Sequence, residues 1–99
     1  MTDVFTIETF SGHVGTKFLI HYGDSQTADL ELLSATDVGS SNMQSQFSLV
    51  FLGPLNGPAA QGIFRLEHDK LGSLDLFLVP IARNNDGLSY EAIFNRFLE

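Results

Sequence analysis

Apolar and polar residues alternate with a period of two along most of this chain. Successive side chains of a β-strand point to opposite faces, so this period is typical of strands. The pattern is cleanest at residues 27–33, where Leu30 and Leu32 share one face while Asp29 and Glu31 share the other. Six such runs predict six strands, at residues 16–22, 27–33 (or 27–36), 46–52, 61–68, 73–81 and 88–94.

Turns and medium-length loops join these runs. Residues 84–87, Asn-Asn-Asp-Gly, are typical of a hairpin turn, and Gly72 ends a second turn where a positive φ suits glycine. Parallel neighbours need a crossover of about a dozen residues, so connections this short imply antiparallel pairing. Residues 37–42 and 53–58 are predicted as loops because they are rich in Gly, Pro, Asn and Ser.

The sequence therefore predicts a single all-β domain over residues 1–99, a small six-stranded antiparallel barrel or curled sheet. We favour the barrel over a sandwich because closure hides the strand edges. Residues 6–12 are predicted to form a short helical segment that covers an open end of the sheet and ends at Gly12 or Gly15. The predicted inner faces carry Phe18, Ile20, Tyr22, Ala28, Leu30, Leu32, Phe47, Leu49, Phe51, Phe64, Leu66, Leu74, Leu76 and Leu78.

The fifth run is apolar on both faces, unlike a strand that has one face in water. Its second face carries Phe77, Val79 and Ile81, and Pro80 places that end of the strand at an edge or a bulge. A second apolar layer is therefore expected over this face. Either the N-terminal segment or a second subunit of a homodimer supplies it.

Composition narrows the possible partners. The chain carries 12 acidic residues and five basic ones, a formal charge of −7, and the bases do not cluster in sequence. Such a field repels nucleic acids and anionic lipid, so neither is expected as a partner. There is no cysteine, no signal-peptide pattern and no long apolar run, so a cytoplasmic protein is expected.

The three histidines, His13, His21 and His68, lie on different segments and share no metal-ligand spacing. The simplest interpretation of His68 is a histidine at a strand end that hydrogen-bonds a neighbouring turn. Metal binding, or acid–base work with a nearby carboxylate, is the alternative.

Other candidate chemistry is weak. Asp29 with Glu31, and Glu67 with Asp69, resemble carboxylate pairs but fit the wet face of a strand. Residues 53–62 are glycine-rich without matching a phosphate-binding motif. The sequence predicts no catalytic residues, no cofactor and no metal site.

Several segments resemble the DUF6916 family of small bacterial proteins. They are Phe47-Ser-Leu-Val-Phe-Leu-Gly-Pro54, Gln61-Gly-Ile-Phe-Arg-Leu-Glu-His68, Leu71-Gly72, Leu76-Phe-Leu-Val-Pro-Ile81 and Tyr90-Glu-Ala-Ile-Phe-Asn95, with Phe10 and Val14-Gly-Thr-Lys-Phe18 near the start. The resemblance implies a bacterial domain of uncharacterised function, and it suggests a phage-tail-like component as a partner. The family pattern has a glycine near position 82, where this chain has alanine. This difference affects only the expected turn geometry.

We therefore expect a non-enzymatic protein-interaction or scaffold module. One alternative is a binder of a small apolar ligand at the barrel mouth, although about eight strands are needed to enclose one. The other is an enzyme that uses His68 with a nearby carboxylate.

Overall fold

A computed structural model describes residues 6–39 and 44–97 of the chain. Its backbone forms one helix and six strands: α1 (Ile7–Ser11), β1 (Lys17–Tyr22), β2 (Gln26–Asp37), β3 (Gln44–Gly53), β4 (Gly62–His68), β5 (Gly72–Asn84) and β6 (Gly87–Phe97). All neighbouring strands are antiparallel, in the spatial order β1-β2-β3-β6-β5-β4, and β4 pairs back to β1. The structure confirms the predicted closed barrel with a short N-terminal helix.

Most strands extend beyond their predicted ends, because polar residues without clear alternation still pair with a neighbouring strand. Asn84 pairs with Gly87 across the predicted hairpin, and Gln44 pairs with Phe97. The predicted irregularity at Pro80 is confirmed as a register shift between Pro80 and Ala82. Residues 40–43, which include part of the predicted 37–42 loop, lie outside the described residues.

The barrel interior is filled by large apolar side chains, and the predicted inner faces are confirmed. Tyr22, Ala28 and Phe64 are only partly buried but pack against this core. The buried apolar residues are Phe10, Phe18, Ile20, Leu30, Leu32, Phe47, Leu49, Phe51, Leu66, Leu74, Leu76, Leu78, Leu88, Tyr90 and Ala92.

Helix α1 closes one end of the barrel, as the sequence predicts. Thr6 caps the helix through a hydrogen bond from the Thr9 amide, and Gly12 ends it. This single turn places Phe10 inside the core with no exposed surface. The Phe10 ring centroid lies 6.1 Å from that of Phe47 and 5.3 Å from that of Phe94. Helix and barrel therefore share one core.

The loop between β3 and β4 covers the opposite end. The Tyr90 hydroxyl, at the buried side of β6, donates a hydrogen bond of 2.5 Å to the Pro58 carbonyl. Burial, and to a smaller extent the nearby Tyr22, raises the pKa of Tyr90 above its ordinary value. The hydroxyl therefore keeps the proton that it donates. Both ends of the barrel are thus occupied by the chain itself.

Candidate functional site

The outer wall of β4, β5 and β6 exposes large apolar side chains. Ile63 and Phe77 are cross-strand partners on β4 and β5, and they are 73% and 51% exposed. Ile93 on β6 is 52% exposed. It follows Glu91 by two residues on the same face, and Glu91 pairs with the half-buried Val79. We call Ile63, Phe77 and Ile93 the outer-wall patch. Large apolar side chains grouped on a surface mark candidate interaction sites.

Phe77 of this patch belongs to the second apolar face that the sequence predicts for β5. Of the other two residues of that face, Ile81 is exposed and Val79 is half-buried. The described part of the N-terminal segment does not cover it, since α1 packs into the barrel end and against β2. Val4 and Phe5, the other apolar residues of that segment, lie outside the described residues. The other predicted cover for this face, the second subunit of a homodimer, stays a prediction.

Charges are balanced along these three strands although the chain as a whole is strongly acidic. The sequences of β4, β5 and β6 contain three arginines and three acids, while the whole chain carries −7. Arg65 Nε donates to Asp75 Oδ1 at 3.2 Å between adjacent strands, beside Ile63 and Phe77. The sequences of these three strands therefore add no net negative charge that would repel an acidic protein.

His68 is the hub of a polar cluster at the barrel end that α1 closes. Its Nδ1 accepts hydrogen bonds from the amides of Lys70 and Leu71, at 3.0 and 3.2 Å. Nδ1 therefore carries no proton, and the proton of the neutral ring sits on Nε2. Nε2 donates to Thr16 Oγ1 at 2.9 Å, and Thr16 Oγ1 donates to the His13 carbonyl at 2.6 Å. The predicted bond from His68 to a neighbouring turn is confirmed.

The cluster favours a neutral His68. Burial first, and then the nearby His13, lower the pKa of His68 below its ordinary value, although Asp69 acts in the opposite direction. Both ring nitrogens are engaged, so proton transfer to a substrate would require breaking the bonds that hold the β4–β5 turn. The arrangement therefore suits a structural role better than acid–base chemistry.

Lowering the pH should destabilise the fold through His68. The unfolded chain takes up this proton near pH 6.5, the ordinary histidine pKa, whereas the folded chain takes it up only at lower pH. Between these values the unfolded state binds more protons, so the free energy of unfolding falls as the pH decreases below about 6.5. Above that pH this contribution is complete and constant.

Urea unfolding at a series of pH values checks this expectation. His68→Asn should lose stability at pH 7.5 and show a shallower decline below pH 6.5 than the unmodified chain. His21→Asn, which replaces a histidine with 40% side-chain exposure, is the control for the loss of an imidazole outside the cluster. Parallel slopes for the His68 variant and the unmodified chain would contradict the assignment.

The remaining histidines differ from His68. The His13 ring lies edge-on to His68, with centroids 4.8 Å apart. His21 lies on β1, where its Nε2 is 3.0 Å from Glu67 Oε1 on the neighbouring β4 but is not aligned for a hydrogen bond. An exposed pair of this kind contributes about 1 kcal/mol at most. The described residues contain no group of three side chains suited to hold a metal ion.

The other sequence candidates fall on exposed surface. Asp29 and Glu31 lie on the outer face of β2, as the alternation predicts. The structure does not join Glu67 to Asp69 by any contact, and Glu67 instead faces His21. The glycine-rich loop covers the barrel end beside Tyr90. The outer-wall patch was predictable through the two-faced pattern of β5, whereas the His68 hub depends on residues 52 positions apart.

These features define a small closed antiparallel β-barrel with an internally filled core and an exposed apolar outer wall. The chain belongs to the DUF6916 family, since the model described as "Domain of unknown function (DUF6916)" matches residues 5–94. Comparison with curated proteins and with solved structures gives no match. No helix within the described residues is long and apolar enough to cross a membrane.

Proposed function

We propose that this protein is a non-enzymatic interaction or scaffold module that docks through the outer-wall patch, and that its partner there is a second copy of the chain. The observation that carries the proposal is the exposed cross-strand pair of Ile63 and Phe77 on a wall whose charges cancel. A cytoplasmic location in bacteria is part of the same proposal and rests on the sequence and the family resemblance.

The exposed patch represents free energy that docking can recover. Complete burial of a large apolar side chain contributes about 1.5–3 kcal/mol relative to exposure. Each member of the patch is half exposed or more, so burial of all three supplies several kcal/mol. Since a homodimer interface uses the same patch on both subunits, each contact counts twice.

The charge of this wall permits a second copy as the occupant. Two chains that each carry −7 repel one another, so they can associate only where the local charge is neutral. The wall of β4, β5 and β6 meets this condition. The Arg65–Asp75 pair within each chain adds no net charge beside the patch.

The structure gives less support to the two alternative functions. An apolar ligand at the barrel mouth needs an open interior, whereas Phe10 occupies one end and the Tyr90–Pro58 bond ties down the loop at the other. An enzyme based on His68 needs a free ring nitrogen, and both nitrogens have partners.

Phe77→Lys should weaken self-association at least about tenfold, because it removes apolar burial worth about 1.4 kcal/mol or more and introduces like charges across the two-fold axis. Sedimentation velocity over a dilution series gives the dissociation constants. Leu33→Lys is the matched control: Leu33 is 41% exposed on β2, away from the patch, and its replacement should leave association unchanged.

A monomeric unmodified chain would overturn the choice of partner. It would leave a different protein, such as the phage-tail-like component that the family resemblance suggests, as the remaining occupant. A dimer that both variants disrupt equally, or that neither disrupts, would show that the outer-wall patch is not the interface.

A further inference from the structure

A small cavity beside the His68 hub is lined by most of the lysine and histidine side chains of the protein. The cavity measures about 260 Å³ and is lined by His13, Thr16, Lys17, His68, Asp69 and Lys70. The chain has only two lysines, and both line it, together with two of the three histidines. In a chain of net charge −7 this is an unusual concentration of cationic groups.

The lysine side chains and the His13 ring of this cavity are not engaged in polar contacts with other described residues. Within residues 6–39 and 44–97, neither lysine forms an ion pair, and the His13 ring forms no hydrogen bond. Arg65, by contrast, has an acidic partner on the neighbouring strand. Two lysines without an acidic partner and a histidine ring without a hydrogen bond therefore line the same cavity.

We propose that this cavity binds a small oxyanion, such as inorganic phosphate, through the ammonium groups of Lys17 and Lys70 and the ring of His13. Ammonium groups bind phosphate as point charges with several donor directions. Two of them suit a doubly charged anion.

The His68 hub builds the site without contacting the anion. Its bonds to the amides of Lys70 and Leu71 fix the turn that carries Lys70. Its bond to Thr16, and through Thr16 to the His13 carbonyl, fixes the neighbours of Lys17 and His13. The donors thus come from three separate segments that one buried side chain holds in register.

Two acidic residues near the site oppose the binding of anions. Asp69 lines the cavity, and Glu31 pairs with Lys17 across β1 and β2. Neither forms an ion pair with a lysine. Their carboxylates weaken the binding of every anion, and of a doubly charged anion most, so the affinity for phosphate depends on direct hydrogen bonds from the two ammonium groups.

NMR titration with inorganic phosphate at constant ionic strength tests the proposal. The ring signals of His13 and His68 should shift along a saturating curve, and chloride at the same ionic strength should produce no saturable shift. A double variant, Lys17→Gln with Lys70→Gln, should weaken binding by about tenfold or more. Arg83→Gln removes one positive charge at the opposite end of the barrel and, in contrast to Lys70→Gln alone, should leave binding unchanged.

Sulfate provides the second arm. Saturable binding of both phosphate and sulfate supports a general oxyanion site, and binding of phosphate alone supports a phosphate site. Linear, non-saturating shifts, or equal weakening by the lysine and arginine variants, would overturn the proposal because they indicate unspecific screening. These outcomes do not depend on whether the protein is a monomer or a dimer in solution, which is the test of the outer-wall patch.

Discussion

Replacement of Gly87 by alanine should destabilise the protein by about 4 kcal/mol, which combines about 1–3 kcal/mol of backbone strain with about 1–3 kcal/mol of over-packing. Gly87 has a φ of +142°, which L-residues rarely adopt. A Cβ atom there would also lie 2.1 Å from the Gly53 carbonyl oxygen, where β6 begins beside the end of β3. The backbone at Gly53 or Gly87 must therefore shift to make room for the added methyl group. Total stability is typically about 5–15 kcal/mol, so this loss is a large part of it.

Gly72 supplies the matched control for this prediction. It also has a positive φ, +78°, but a Cβ atom there would meet no atom within 4 Å. Gly72→Ala should therefore cost about 1–2 kcal/mol, the strain of a left-handed residue alone. Urea unfolding of both variants measures the difference. Equal losses would show that β3 and β6 do not approach as closely as described.

Replacement of Phe10 by alanine should cost about 3–5 kcal/mol, the range for deletion of a fully buried aromatic ring. The ring has no exposed surface and contacts Phe47 and Phe94, which stack on each other with centroids 4.7 Å apart. Its loss leaves a cavity at the barrel end that a single helical turn is too short to fill. The effect is large because α1 contributes little else to the core.

Phe77→Ala is the control, because it deletes the same ring from the outer wall. Phe77 is 51% exposed, so the change should cost less than about 1 kcal/mol when urea unfolding is measured at low protein concentration. At high concentration the same variant should reduce self-association. Comparable losses for the two variants at low concentration would contradict the placement of Phe10 inside the barrel.

Local alternation predicts the strands and their inner faces because burial on one face fixes which residues must be apolar. The same rule identifies β5 as a strand with two apolar faces, because Phe77 and Val79 interrupt its polar outer face. Alternation does not determine which strands meet. The pairing of β3 with β6, and of β4 with β1, joins segments distant in sequence. Strand ends were also missed, since paired polar residues such as Gln44 leave no pattern.

The polar cluster around His68 shows more clearly which contacts the sequence does not predict. His68 was predictable as a strand-end histidine bonded to its own turn because that contact is local. Its second bond, to Thr16, depends on the closure of β4 against β1. The approach of His13 depends in addition on the turn that follows α1. A cavity assembled from three segments therefore has no signature in the sequence.

The mass of the unmodified chain in solution tests the central claim most directly. Light scattering over a dilution series should give twice the chain mass of 10.9 kDa at high concentration, and dissociation on dilution. The Phe77→Lys variant should move that transition to higher concentration. A mass of one chain at every concentration would contradict self-association through the outer wall of β4, β5 and β6.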